Sequence, residues 1–274
     1  MKFVTMLCGI SVCALILAGC GTAPAKVVSD TIELDEFTDL DIDISSYDVT
    51  VTTGKSYSIE FRAQEGREPR ISSNGEKLTI KQPSGSFFDL FSGPGVSDAY
   101  YKITIPESSD EISLTAKSSS ASVTLDRIAA SVKIKSSSGD VMLNDVEGKI
   151  IEIETSSGEA EADKVKAGVF SCGTSSGDIE LLRIESDDIS CNTASGKIEL
   201  NNSVGRNVMC QASSGDVEVE LNGSAEGFSI YADSSSGSIK VNGQEAKKEY
   251  VKDDGKDGKV AVHTSSGDIE INVQ

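Results

Sequence analysis

Thr174-Ser175-Ser176-Gly177-Asp178-Ile179-Glu180 is one of seven related turns in the back half of the chain, and their recurrence decides the fold. The turn glycines are Gly139, Gly158, Gly177, Gly196, Gly215, Gly237 and Gly267. The first five follow one another at 19 residues, the last two after 22 and 30. A period near 20 with two apolar-alternating runs in each repeat is the mark of a solenoid whose repeats are single coils.

Placing each glycine at the origin exposes the inside of the coil. Seven residues before it stand Val132, Ile151, Phe170 and Ile189; five before it stand Ile134, Ile153 and then Cys172, Cys191 and Cys210. Two residues after it come Val141, Ala160, Ile179 and Ile198, and four after it Leu143, Ala162, Leu181 and Leu200. Polar residues alternate with these, the period of a strand with one buried face. The glycine is expected to turn a sharp corner at positive φ. The flanking Ser and Thr hydroxyls are expected to bond corner backbone groups that no ladder reaches.

The pattern extends upstream in weaker form. With Ala121 in the glycine slot, Leu114, Ala116, Val123, Leu125 and Ile128 fall in the apolar columns, and Leu40–Val51 repeats the theme with Tyr47 at the turn. The expected fold is therefore all-β: a parallel β-solenoid, right-handed by the default for parallel crossovers, with two short strands per coil. A meander of hairpins would not stack same-register side chains into columns. Residues 30–106 read as irregular coils and strands that start and cap the stack, with room for antiparallel pairing, since an open coil exposes a strand edge. Residues 107–274 read as the regular solenoid, with a charged loop at 243–259.

The N-terminus reads differently. Lys2 precedes an apolar run from Phe3 to Leu17, and Leu17-Ala18-Gly19-Cys20 resembles the lipobox of bacterial lipoproteins. The resemblance implies a signal peptide over 1–19, lipidation of Cys20, a tether over 20–29, and an extracytoplasmic protein held at the membrane by its lipid.

Composition narrows the partners. The 274 residues carry a formal charge of −19, which argues against nucleic acid, whose binding needs a basic stripe. Aromatics make up 5% and Trp is absent, so a sugar-stacking platform is poorly supplied. Cys172, Cys191 and Cys210 lie 19 apart and so share one column. Parallel Cβ vectors on strands ~4.8 Å apart suit neither a disulfide nor a tetrahedral metal site. They read as small buried hydrophobes.

The outer faces carry what chemistry there is. The strand after each glycine displays Asp140, Glu159, Glu161, Asp178, Glu180, Glu199, Asp216, Glu218, Asp268 and Glu270. This reads as a solvated face that keeps the protein dispersed. Calcium is the functional alternative, but no Gly-Gly-x-Gly-x-Asp turn supports it. The preceding strand carries a neutral strip, Ser171, Gly173, Ser190, Asn192, Met209 and Gln211, the best candidate for a docking surface. His263 is the only histidine and falls in an outward slot. No Ser-His-Asp set, metal cluster or phosphate loop is recognisable, so neither catalytic residues nor a cofactor is expected.

The Ser-Ser-Gly-Asp-Ile/Val corners, the Ile105-Pro106 step and the lipobox together resemble a bacterial family of adhesin-like, β-strand-repeat lipoproteins of unknown function. The resemblance covers about residues 35–274 and implies a β-solenoid at the cell envelope with no catalytic residues. The function it suggests is a non-enzymatic binding or scaffold module with an envelope protein or glycan partner. The alternatives are an accessory protein of an envelope stress-sensing system and a carbohydrate-active enzyme using the acidic face.

Overall fold

A computed structural model describes residues 26–83, 98–107 and 111–274. The signal peptide and Cys20 lie outside them. Eight short strands come first: β1 (Val27–Glu33), β2 (Asp39–Ile44), β3 (Asp48–Gly54), β4 (Ser58–Gln64), β5 (Arg70–Asn74), β6 (Lys77–Lys81), β7 (Tyr100–Pro106) and β8 (Ile112–Ser118). Five long ones follow: β9 (Val123–Ser136), β10 (Val141–Thr155), β11 (Ala160–Thr174), β12 (Ile179–Thr193) and β13 (Ile198–Ser214). The chain finishes with β14 (Val217–Leu221), β15 (Phe228–Ser234), β16 (Ile239–Val241), β17 (Gln244–Ala246), β18 (Glu249–Lys252), β19 (Gly258–Ser266) and β20 (Ile269–Val273). The fold is the expected all-β solenoid, built on parallel ladders that join equivalent residues of neighbouring coils.

The two strands expected in each coil are in fact one bent strand. Along β9–β13 the bend falls at Arg127, Asp145, Lys164, Arg183 and Asn202, whose φ values lie between 51° and 56°. Each stands six residues after the slot position. Holding a non-glycine residue there costs on the order of 1–3 kcal/mol, offset by ladder bonds that continue on both sides. The bend also resets which residues face inward: Leu143 and Val146 are both buried, as are Leu181 and Ile184. The equivalent residue in the next coil is Ser203, fully buried, whose hydroxyl donates to Asn201 O (2.9 Å) and accepts from Ile184 N (3.0 Å).

The Ser-Ser-Gly corner works by another principle than the one expected. None of its seven glycines has a positive φ. Their requirement is proximity. A Cβ on Gly158, Gly177, Gly196 or Gly215 would sit 1.9–2.2 Å from the carbonyl oxygen of the corner glycine one level away. The corners stack backbone on backbone, and only hydrogen fits between them.

Side chains then satisfy the corner. The hydroxyl three residues before the glycine is buried and bonded: Ser136 Oγ donates to Gly139 O (2.7 Å), while Gly158 N and Gly177 N donate to Thr155 Oγ1 (3.0 Å) and Thr174 Oγ1 (2.9 Å). The aspartate just after the glycine clips one level to the next. Asp140 accepts from Glu159 N (2.9 Å), Asp178 from Lys197 N (2.7 Å), Asp216 from Asp268 N (2.8 Å) and Asp268 from Ser238 N (2.7 Å). Ser238, donating from both its N–H and its hydroxyl, holds Asp268 below the usual carboxylate range.

Chain order and stacking order part at both ends. The last segment, β19–β20, does not extend the stack. It lies between the β13–β14 level and the β15–β16 level, parallel to both. The corner glycines accordingly stack as 196, 215, 267, 237. At the other end β2–β3 lies between the β8–β9 level and an outer level made of β6 and β7. Antiparallel strands close the stack: β4 on β7, β1 on β4 and β5 on β6 at one end, β17 on β16 and β18 on β15 at the other.

Two expected boundaries are revised. Val27, Val28 and Ser29, assigned to the tether, already pair with Gln64, Ala63 and Arg62. The charged segment 243–259 supplies β17 and β18 and the first residues of β19, so much of it is sheet. The physical reason is common to both: an end level must pair its outer edge, and neighbouring sequence is recruited to do so.

Candidate surface for binding

Each coil offers outward columns that the ladders set in register. The acidic column is continuous: Glu161, Glu180, Glu199, Glu218 and Glu270 pair successively across β11, β12, β13, β14 and β20. Adjacent carboxylates repel by ~1 kcal/mol per pair in water, and the column is partly neutralised where cations reach it. Lys197 bonds Glu199 and reaches Glu218 (3.5 Å), and Lys240 bonds Glu270 (2.8 Å), which draws the Glu270 carboxyl down. Further along, burial and then the charges of Glu161 and Glu180 push Glu159 up. Among the described residues, no group of three or more His, Cys, Asp or Glu side chains is arranged to hold a metal ion.

The neutral strip forms two adjoining columns. Ser171, Ser190 and Met209 are successive partners in one, and Gly173, Asn192 and Gln211 in the other. The strip is bounded by two internal ion pairs, Lys133 with Glu152 and Lys135 with Glu154. Between Lys135, Glu154, Ser171, Gly173 and Asn192 lies an open trough of about 470 Å³. Its floor is low because Ser171 and Gly173 are small, and the Asn192 amide leans over Gly173, 3.1 Å from where a Cβ would stand. The trough presents hydroxyl and amide groups, with its bordering charges already paired.

The remaining candidates are inert or structural. Cys172, Cys191 and Cys210 are consecutive ladder partners, buried and unbridged. Burial pushes the Cys172 thiol up to about 12, and a bond to Cys210 together with burial raises Cys191. His263 faces outward, half-buried, with Nδ1 2.6 Å from Asp233 Oδ2, tying the β19 level to the outer β15 level. Among the described residues no helix is long and apolar enough to cross a membrane.

Sequence reasoning missed the aspartate clips, although Asp after the glycine in four of seven turns carried the signal. It also missed an exposed apolar row. Met209, Ala261, Tyr231 and Val251 are in register across β13, β19, β15 and β18.

Comparison with known proteins agrees with this architecture. A "putative adhesin" of Bacteroides fragilis NCTC 9343 is 12% identical with a TM-score of 0.56, over 89% of this chain and 96% of that one. A "putative lipid binding protein" of Parabacteroides distasonis ATCC 8503 is 17% identical with a TM-score of 0.55, over 89% and 96%. A "putative adhesin" of the same organism is 12% identical with a TM-score of 0.50, over 90% and 98%. At these identities the likeness is one of fold. No curated protein shows significant similarity to the chain. The model of the family described as Toastrack DUF4097 matches residues 37–272, and with its stacked corners and end-to-end ladders the chain belongs to that family.

Proposed function

We propose that the protein is a non-enzymatic binding module of the cell envelope, carried outside the cytoplasm on a lipid at Cys20, and that it binds through the neutral trough. The observation that supports this most is the trough itself. On a chain of net charge −19 it is a surface of uncharged donors and acceptors, with its bordering lysines and glutamates already paired. Such a surface suits an uncharged, hydroxyl- or amide-rich partner, an envelope glycan or an extended protein segment. The adhesin names of structural neighbours fit this reading.

Two experiments test it. Cells grown with a fatty-acid analogue should label the protein, and Cys20→Ala should abolish both labelling and membrane retention. Immobilised protein should retain an envelope glycan or protein fraction, and Asn192→Lys, which fills the trough with a charge, should reduce retention at least tenfold. Retention unchanged by Asn192→Lys removes the trough from the account. Turnover of an envelope glycan that is lost in Glu180→Gln would overturn the non-enzymatic reading.

A further inference from the structure

Gly173 is a glycine that the fold does not need. It lies within β11 in unbroken register, opposite Glu154 on one side and Asn192 on the other, and its φ is not positive. A Cβ on a corner glycine would meet a carbonyl, whereas one on Gly173 would meet only the tip of a side chain, the Asn192 amide at 3.1–3.4 Å. Glycine inside a strand gives up packing and chain entropy. Where neither a bulge nor a neighbouring backbone calls for it, it marks a surface that a ligand approaches closely.

The groups around this bare floor are free to bond. Asn192 is exposed, and its amide hydrogen-bonds to no described group; the same holds for the half-buried Ser171 hydroxyl two residues before the glycine. Glu154 faces Asn192 across Gly173, and its charge is balanced by Lys135. An acceptor and a donor therefore oppose each other, the Glu154 carboxylate and the Asn192 Nδ2, on strands ~9.6 Å apart. A trans secondary amide points its N–H and its C=O in opposite directions and, with a hydrogen bond at each end, spans ~8 Å. It fits between them over the glycine.

Two kinds of molecule carry such a group, and the trough favours one. A peptide segment is held as an added strand or by side chains anchored in pockets. Here β10, β11 and β12 are already paired on both sides, and the large apolar residue of the lining, Ile153, is buried. An acetamido group is instead a branch ending in a methyl, able to enter a floor one residue wide. The sugar that bears it brings hydroxyls for Ser171 and for the corner serines Ser156 and Ser175 on the rim. A net charge of −19 turns away ionised glycans. We infer that the trough recognises the acetamido group of a neutral N-acetylated glycan, an inference that rests on the trough being the binding surface. With no aromatic ring to stack on, each site holds its sugar weakly, and selectivity comes from the amide.

Titration with the N-acetylglucosamine tetramer and with the glucose tetramer of the same linkage, followed by ligand NMR, tests this. The acetylated tetramer should bind at least tenfold more tightly. Asn192→Asp, which exchanges the Nδ2 donor for an acceptor at equal size, should weaken its binding at least tenfold. Gly173→Thr should weaken it as much while leaving Tm unchanged or higher. Equal binding of the two tetramers, or binding that survives either substitution, overturns the inference. A lower Tm in Gly173→Thr makes the glycine structural and overturns it too. A retained protein fraction that Asn192→Lys releases, with neither tetramer bound, overturns the inference and leaves the trough as the binding surface. Tetramer binding that Asn192→Lys does not disturb overturns both.

Discussion

Replacing Gly177 by alanine separates the two reasons a corner might need glycine. Gly177 lacks a positive φ, so on backbone grounds alone alanine should stabilise by ~0.4–1 kcal/mol through the unfolded chain. The stacking argument gives the opposite sign. The new Cβ would lie 2.0 Å from Gly158 O, against 3.4 Å for an ordinary contact, so the two levels must separate by about 1.4 Å at the corner. That opening breaks the bonds from Ser176 N to Ser156 O and from Ala160 N to Asp178 O, each 3.0 Å. Two such bonds are worth ~0.5–1.5 kcal/mol each, and forced overpacking adds ~1–3 kcal/mol. After the entropic gain, the net loss is about 1–5.5 kcal/mol, a fall in Tm of roughly 2–22 °C for a chain of this size. Gly227→Ala is the control, since a Cβ there meets nothing within 4 Å. Thermal melts followed by circular dichroism decide the matter. Gly177→Ala melting at or above the parent protein, or shifting no more than Gly227→Ala, would refute the stacking account.

Three further outcomes are expected. Glu159 has its folded pKa raised above 4.5 by burial and neighbouring carboxylates, so it weakens the fold when ionised, and the fold gains stability as pH drops through that raised value. Glu159→Gln should raise Tm at pH 7 and lose its advantage below pH 4.5, as titrated melts will show. Cys172, Cys191 and Cys210 should resist maleimide in the folded protein and react in denaturant; reaction of any of them in the native protein would contradict their burial. Deleting residues 258–274 should do more than shorten the rod. Because β19–β20 separates two other levels, limited proteolysis should then cut within 228–252 as well, and protection of that stretch would contradict the stacking order.

The interior was legible because a period-two pattern within a fixed repeat needs no knowledge of neighbours. Val132, Ile151, Phe170 and Ile189 had to share a column whatever the coil's exact outline. The second corner escaped notice because Arg127, Lys164 and Arg183 carry no turn signature. Asp145 and Asn202 in the same column, each followed by the buried Val146 and Ser203, were the clue. The order of levels at the ends was not legible at all. An apolar column reads alike whether its strand stacks on the previous level or the one beyond it, and only the irregular gaps before Gly237 and Gly267 hinted at a detour. The neutral strip was visible as composition. Its apolar continuation was not, because Val251 sits among charges in sequence and joins Tyr231 only through an antiparallel pairing.

At each end of the stack one level, β2–β3 or β19–β20, is held between levels that came from elsewhere in the sequence, like a belt whose ends pass back under a loop. Such a rod has no free coil from which to unwind. It also has no site at which to grow, except in its middle, where each level repeats the last. Gaining or losing a 19-residue unit between Gly139 and Gly196 would change the reach of the molecule by one step of ~4.8 Å and leave both clasps untouched. Length is thus the property this architecture leaves easiest to vary.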